Sequence, residues 1–99
     1  MEKMYRVKFL RRDPFTDKIM SDTVQTIRTK SLTKAIEEYK WLSKATKEFA
    51  LENHKKPEFR KGIPFLLGTY REVWIEVGIP QIKTIKKYEY NRINNIKDI

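Results

Sequence analysis

The segment SLTKAIEEYKWLSKATKEFALEN, residues 31–53, has the clearest periodicity in the chain. Its apolar residues recur at steps of three and four, which predicts one amphipathic helix whose apolar stripe covers a sheet. Ser31 is typical of an N-cap, and Pro57 prevents the helix from continuing much beyond residue 53. Because one helix covers only one side of a sheet, we expect the other side to face water, a partner or nucleic acid.

Two predicted strands lie on each side of this helix. Residues 5–12 alternate between apolar and basic side chains, and residues 18–29 continue as a second strand if one extra residue forms a bulge. Residues 70–77 favour a third strand, although a helical interpretation of residues 63–77 stays open. Residues 82–90 form a lysine-rich edge strand. The predicted fold is therefore α+β with the order ββαββ, a four-stranded antiparallel sheet with the helix packed on one face.

The chain of 99 residues is long enough for one domain only. We expect a single small α+β domain over residues 1–90, followed by a basic C-terminal arm, residues 91–99, that is ordered only if it docks. There is no cysteine, which is typical of a reducing cytosol, and no apolar segment long enough to span a membrane. The high Lys and Ile content and the low Ala content indicate an AT-rich genome such as that of a phage or mobile element. The expected location is the cytoplasm, which is the host cytosol if a phage encodes the chain.

The net charge of +9 is concentrated in three segments. Residues 1–12 hold five basic residues and one acidic residue, and residues 53–62 hold four and one. Residues 81–99 hold five and two. The predicted helix is balanced, with four Lys and four Glu, so it is not a basic recognition helix. This distribution favours a polyanionic partner that contacts the first strand, the linker and the C-terminal segment.

Residues typical of enzymes are few. The only histidine, His54, lies at the predicted helix end, and zinc would need several His or Cys ligands. Asp13, Asp17 and Asp22 resemble a magnesium cluster, but the first two are better explained as turn residues. We predict no catalytic site, no cofactor and no metal. A small ribonuclease that uses Lys, Arg and His54 remains as an alternative.

Binding features are stronger. The outward side of the first strand offers Arg6 and Lys8, and the outward side of the third offers Trp74, so neighbouring strands would mix cations with aromatic rings. Aromatic rings stack on bases and cations neutralise phosphates, whereas Glu72 and Glu76 would repel phosphate. The predicted nucleic-acid-binding residues are Arg6, Lys8, Arg11, Arg12, Lys55, Lys56, Arg60, Lys61, Tyr70, Trp74, Lys83, Lys86, Lys87, Tyr88 and Arg92.

A protein partner is the second hypothesis. Trp41 falls on the outer side of the helical wheel, so either the arm or the linker folds over it, or Trp41 and Ala45 form a docking site for another protein together with Trp74. We therefore carry two functions. The first is a small non-catalytic accessory protein that binds nucleic acid, preferably single-stranded DNA or RNA, with low sequence specificity. The alternative is a phage-type inhibitor or adaptor of a host or defence protein or ribonucleoprotein. A homodimer through the open sheet face is a further partner prediction.

Overall fold

The computed structural model describes residues 2–62, 64–82 and 87–96, with only the backbone at residues 60 and 61. The elements are, in chain order, β1 (Met4–Arg12), β2 (Val24–Thr29), α1 (Leu32–Leu42), α2 (Lys47–His54), a 3₁₀ turn (Pro57–Lys61), a single helical turn (Phe65–Gly68), β3 (Tyr70–Pro80) and β4 (Tyr88–Arg92).

The four strands form one open antiparallel sheet in the order β2-β1-β3-β4. This arrangement confirms the predicted α+β fold. The central pair, β1 and β3, runs in continuous register from Met4 opposite Gly78 to Arg12 opposite Tyr70. Side chains directly opposite each other in such a pair lie on the same side of the sheet, so this register decides which residues meet the helices and which remain on the other side.

The core lies between the sheet and α1. Val7 and Ile75 face each other across the central strand pair, and both are fully buried. Ala35 and Leu42 of α1 complete the buried cluster. Ser31 is the predicted N-cap of α1, and its hydroxyl accepts a hydrogen bond from the backbone N–H of the residue three positions on, at 3.3 Å. The apolar stripe therefore packs on one side of the sheet, as its periodicity predicts.

The predicted helix over residues 31–53 is present as a bent helix that is divided into α1 and α2. The Thr46 hydroxyl caps the start of α2 by accepting a backbone N–H at 3.1 Å. Arg71 of β3 stabilises the segment between α1 and α2 with two hydrogen bonds. Its guanidinium donates to the Leu42 carbonyl at 3.3 Å, and its backbone N–H donates to the Ala45 carbonyl at 3.0 Å. Carbonyls freed at the end of α1 are thus satisfied by the sheet. No helix in the described residues is long and apolar enough to cross a membrane.

The second strand is shorter than the predicted residues 18–29, since β2 begins only at Val24. Ile19 makes an isolated bridge to β1. The reason is local: the Ser21 hydroxyl accepts the backbone N–H of Arg11 at 2.9 Å, so a side chain takes the place of a ladder partner. Within β2 the pairing with β1 shifts by one residue at Thr26. This shift is the predicted bulge, in which one extra residue interrupts the alternation of the strand.

Residues 63–77 were predicted to form either a strand or a helix, and the structure contains a part of each. β3 contains all of residues 70–77, so the strand interpretation is correct there. The helical interpretation holds only for the single turn Phe65–Gly68. Thr69, between the turn and the strand, has an extended backbone and donates its hydroxyl to the Phe65 carbonyl at 2.9 Å, which ends the helical turn.

The last strand begins later than predicted and extends further. β4 runs from Tyr88 to Arg92, whereas the prediction was residues 82–90, of which 83–86 lie outside the described residues. Beyond β4, the backbone N–H of Ile93 donates to the Ile75 carbonyl at 2.9 Å. Ile93 and Ile96 pack against the core cluster. This part of the predicted arm therefore contacts the domain.

Candidate nucleic-acid interface

The side of the sheet opposite α1 and α2 carries mainly basic and aromatic side chains, and we call it the open face. Its membership follows from the strand register, because residues paired across neighbouring strands point the same way. The open face includes Gln25 and Arg28 of β2, Met4, Arg6, Lys8, Leu10 and Arg12 of β1, Tyr70, Glu72, Trp74, Glu76, Gly78 and Pro80 of β3, and Tyr88, Tyr90 and Arg92 of β4. Lys8 lies directly opposite Trp74, so cations of β1 and aromatic rings of β3 are neighbours.

Glu76 is the centre of the polar contacts on this face. Its carboxylate accepts from Arg6 Nε at 2.7 Å and from Trp74 Nε1 at 2.9 Å, and it lies 3.3 Å from Lys8 Nζ. Burial of the carboxylate raises the pKa of Glu76, but the hydrogen bonds from Trp74, Arg6 and Lys8 outweigh burial, so the pKa is lower than usual. Glu76 is therefore an ionised acceptor that fixes the orientation of one ring and two cations.

Cations also stack on aromatic rings of the open face. The Arg6 guanidinium lies 3.5 Å from the centre of the Tyr90 ring, and the Arg92 guanidinium lies 4.5 Å from the centre of the Trp74 ring. Such cation–π contacts stabilise the pair most when it is shielded from water. The Tyr90 ring can lie over residue 78 because that residue is glycine: a Cβ there would be only 2.8 Å from Tyr90 Cε1. The face therefore presents rings and guanidinium planes in alternation.

The two carboxylates do not cancel the charge of the open face. Glu72 lies 3.3 Å from Arg12 Nη2 and 3.9 Å from Arg92 Nη2. We expected Glu72 and Glu76 to repel phosphate, but each contacts basic side chains of the same face. The face carries five basic and two acidic side chains. Its net charge is therefore positive, and one of the five cations, Arg28, lies at the β2 edge.

Tyr70, at one end of the face, holds the loop between β1 and β2. Its hydroxyl donates to Asp17 Oδ1 at 2.6 Å, and Lys47 of α2 contacts the same carboxylate at 3.0 Å. The hydrogen bond to Asp17 is the main reason that the pKa of Tyr70 is raised to about 12. Arg12 donates to the Asp17 backbone carbonyl at 2.7 Å. Tyr70 therefore lies on the open face and also fixes the β1–β2 loop through its hydrogen bond to Asp17.

Arg11 is not part of this surface, although it was predicted to belong to it. It is 5% exposed on the helix side of the sheet. Its guanidinium donates to the Leu66 carbonyl at 2.9 Å and to the Thr69 hydroxyl at 3.2 Å. The pKa of Arg11 is lowered mainly because its guanidinium is buried, and secondly because the positive charge of Arg71 is close by. The guanidinium of Arg11 thus joins the helical turn to the sheet instead of meeting a ligand.

The other predicted basic residues lie away from the open face or outside the described side chains. Lys55 and Lys56 are exposed after the end of α2, in the helical layer, and Lys55 pairs with Glu52 at 2.9 Å. Lys87 is exposed just before β4. The predictions for Arg60 and Lys61, and for Lys83 and Lys86, fall on side chains outside the described part. Among the described side chains, the structure therefore brings together the strand residues of the prediction, and Lys55 and Lys56 lie elsewhere.

Trp41 is exposed on the helical layer, as its place on the helical wheel predicts. It is 58% exposed, so the described parts of the linker and the arm leave it largely uncovered. The Arg71 guanidinium lies 5.4 Å from its ring centre. Trp41 lines a shallow groove with Ile27, Lys34 and two glutamates, whereas Ala45 is half-buried. The two residues of the predicted docking site thus differ in accessibility.

The groups considered for catalysis have structural contacts. His54 donates from Nε2 to the Gly68 carbonyl at 2.8 Å, since a carbonyl only accepts. The Asp13 carboxylate accepts the backbone N–H groups of Phe15 and Thr16, which lowers its pKa. Within the described residues, no three His, Cys, Asp or Glu side chains form a group that could hold a metal. His54 and Asp13 thus each hold part of the backbone in place.

Sequence reasoning missed Tyr90 and Arg28 as members of the open face. Tyr90 has the same parity as the predicted Tyr88, and their ring centres lie 6.2 Å apart. Because every second residue of a strand points to the same side, the position of Tyr90 two residues after Tyr88 was a usable signal. Arg28 follows Ile27, which packs against the core, and lies opposite Arg6, so alternation along β2 was a usable signal for Arg28.

Comparison with known proteins adds no assignment: no family model, no curated protein and no solved structure matches this chain. The functional argument therefore depends on the geometry of the open face.

Proposed function

We propose that this chain is a small, basic, non-catalytic accessory protein that binds single-stranded DNA or RNA on its open face with low sequence specificity. The observation that carries the proposal is the arrangement of cations and rings: five basic side chains lie among Trp74, Tyr88 and Tyr90, with Arg6 and Arg92 stacked on two of these rings. Aromatic rings and basic side chains on an open sheet are the means by which many proteins bind unpaired bases and their phosphates.

The two kinds of side chain contribute different parts of the affinity. Stacking of a base on an aromatic ring contributes about 1–3 kcal/mol per base and tolerates any base. Basic side chains release counterions from phosphates, and that part of the affinity falls as salt rises. Arg28, which is exposed at the β2 edge, and Arg92, which is about half exposed, are well placed for phosphate. The affinity for nucleic acid should therefore fall when an aromatic ring is removed and when the salt concentration rises.

A duplex is a poor ligand for such a surface, because its bases are stacked on each other and are not available to Trp74 or Tyr90. A helix that enters the major groove would be the usual means of reading duplex sequence. Here α1 and α2 lie on the other side of the sheet, and together they carry three Lys and four Glu. Low specificity and a preference for single strands follow from these features.

Fluorescence titration of labelled single-stranded DNA, single-stranded RNA and duplex DNA over a range of salt tests the proposal. We expect single strands to bind more tightly than duplex, with a log–log slope of about −0.7 per phosphate engaged. Trp74→Ala should weaken binding about tenfold, which corresponds to the loss of one stacking contact. Trp41→Ala is the matched control, since it removes the same ring from the helical layer. Binding that does not change with salt, or equal effects of the two substitutions, would refute the proposal.

The second candidate is a phage-type inhibitor or adaptor that binds a host or defence protein or ribonucleoprotein. The observation that favours it is the exposure of Trp41, 58%, beside a groove whose side chains include Lys34, Glu37 and Glu38. Aromatic anchors next to charged groups are typical of protein contacts. If Trp41→Ala abolishes capture of a purified partner while Trp74→Ala does not, this function replaces the first one.

Location and self-association belong to the same proposal. A chain without cysteine fits a reducing cytosol, which is the host cytosol if a phage encodes it. A homodimer through the open face would cover Trp74 and Tyr90 and so compete with nucleic acid. Sedimentation with and without a single-stranded oligonucleotide tests this: a dimer of this type should dissociate when the oligonucleotide binds.

A further inference from the structure

A cavity of about 620 Å³ opens at the margin of the sheet, beside the open face. β4 pairs with β3 from Glu76 to Pro80, so Val73 and Trp74 of β3 lie beyond that pairing. After Arg92 the chain turns towards the helical layer, and Ile93 packs on the core. The space between this segment, α1 and the β3 edge is the cavity, which we call the edge cavity. Its volume lies within the range of about 300–1,000 Å³ that is usual for small-molecule sites.

The lining of the edge cavity combines flat, apolar and cationic groups. Trp74 and Tyr39 supply aromatic rings, and isoleucines of the C-terminal segment supply apolar walls. Lys40 and Arg92 supply positive charge, and Asn94 supplies an amide that both donates and accepts hydrogen bonds. None of the lining residues in the described part carries a carboxylate. A ligand that fits this lining has a flat ring, polar ring edges and an anionic group.

From these features we infer that the edge cavity is a nucleotide subsite, which takes one unstacked base of a single strand with its phosphate near Lys40 and Arg92. The inference rests on the proposed function, because Trp74 belongs both to the open face and to the edge cavity. A strand that crosses the open face reaches the cavity at this ring. The subsite adds to a nonspecific surface a position where the hydrogen-bonding edge of one base meets the Asn94 amide.

The position of Arg92 suits this role. Its guanidinium stacks on Trp74 at 4.5 Å, and its ion pair with Glu72 on this face is long, at 3.9 Å. The Arg92 side chain is about half exposed. It can therefore turn from the ring to a phosphate without leaving a buried group unpaired. Trp74 keeps its orientation meanwhile, because its indole N–H is held by Glu76.

Nuclear magnetic resonance with ¹⁵N-labelled protein tests the subsite directly. The four nucleoside monophosphates are added one at a time, and pyrophosphate is added as an anion without a base. We expect each monophosphate to shift the Trp74 indole and the backbone amides near Asn94, with different sizes for different bases. Pyrophosphate should shift the indole less than the monophosphates do, because it can draw Arg92 from the ring but has no base to stack there. If pyrophosphate gives the same shifts as the monophosphates, the cavity binds anions only and the inference is wrong.

Variants separate this inference from the proposed function. The double variant Lys40→Gln with Asn94→Ala changes only the edge cavity, and Arg28→Gln is the matched control on the open face. Both sites are exposed, so the fold should persist, and the amide spectrum verifies it. We expect the double variant to lower oligonucleotide affinity about fivefold or more and to reduce differences between homopolymers. Arg28→Gln should weaken all homopolymers alike.

Each outcome has one meaning. If wild-type protein binds oligonucleotides and the double variant binds them with the same affinity and base preference, the subsite is refuted and the proposed function stands. If wild-type protein binds no oligonucleotide but monophosphates shift the cavity resonances, and the double variant removes those shifts, the proposed function is refuted and the cavity is a site for free nucleotides rather than for a base of a single strand. An absence of shifts at the cavity with millimolar monophosphate refutes the subsite in either case.

Discussion

The substitution Glu76→Gln tests how the open face is held together. The carboxylate contacts three donors: Arg6 Nε at 2.7 Å, Trp74 Nε1 at 2.9 Å and Lys8 Nζ at 3.3 Å. Hydrogen bonds to a charged group contribute about 1.5–3 kcal/mol each, less where water competes. A glutamine keeps one acceptor oxygen but turns an NH₂ group towards another donor. Since the side chains of Glu76, Lys8 and Arg6 are 15%, 22% and 27% exposed, we expect a loss of about 2 kcal/mol in the free energy of unfolding.

Urea denaturation at neutral pH measures this loss. For a domain of this length, a change of about 2 kcal/mol corresponds to a decrease in Tm of about 10 °C. The pH dependence has a definite sign. Because folding lowers the pKa of Glu76, its stabilising contribution is present above the ordinary glutamate pKa and is lost as the pH falls through the folded value. The difference between wild type and variant should therefore shrink in acid.

The same variant has an opposite effect on binding if the proposed function is correct. Loss of the carboxylate frees Arg6 and Lys8 for phosphate, so single-strand affinity should rise at low salt. The log–log salt slope should become steeper by about 0.7–1.4, for one or two additional phosphates. The matched control is Glu52→Gln, which gives the same change in net charge at an exposed pair with Lys55. It should change stability by less than about 0.5 kcal/mol and leave the slope unchanged.

Two results would contradict the reasoning. An unfolding free energy within about 0.5 kcal/mol of wild type would mean that Glu76 does not hold its three donors. A destabilised variant whose salt slope equals that of wild type would mean that Arg6 and Lys8 do not meet phosphate, and would move the ligand away from this face.

Three further predictions concern single side chains. Gly78→Ala should destabilise the fold by about 1–3 kcal/mol, measured by urea denaturation, because the added Cβ lies 2.8 Å from Tyr90 Cε1 and 3.1 Å from the Met4 carbonyl oxygen. Tyrosinate absorbance should show one phenol that ionises with a pKa of about 12 rather than 10, and Tyr70→Phe should remove it. Because folding raises this pKa, the contribution of Tyr70 to stability is present below pH 10 and is lost as the pH rises through about 12. Trp41→Ala should cost less than about 1 kcal/mol in urea denaturation, since 58% of the residue is exposed, and a cost above about 3 kcal/mol would show that the ring is buried in solution.

The alternation of β1 and the stripe of α1 are local features, and they were enough to predict the sheet, the helix side and the open side. Parity along β1 also placed Arg6 and Lys8 correctly, because a strand with one buried face has a fixed register. The order of the strands is a tertiary property. Whether β1 and β3 are neighbours depends on that order, and no residue pattern within either strand specifies it.

Other features could not be predicted because distant residues create them. The break between α1 and α2 has a local signal in Thr46, but it is held by Arg71 from β3. Arg11 follows the parity of the buried side, yet burial of a guanidinium is acceptable only because the Leu66 carbonyl and Thr69 hydroxyl accept from it. These contacts of Arg71 and Arg11 join residues 29, 55 and 58 positions apart, so sequence periodicity does not report them.

The glutamates of the open face explain how a basic, aromatic surface remains stable without a ligand. In the free protein, Glu72 and Glu76 occupy the cations, and two guanidinium groups cover two of the rings. A ligand must therefore displace contacts that already exist, and a single anion gains too little to do so. A single strand supplies several phosphates and bases together, so each displaced contact is replaced by a phosphate pair or a stacked base. The carboxylates consequently favour ligands that repeat both groups, and this is why we expect removal of Glu76 to increase affinity while it lowers stability.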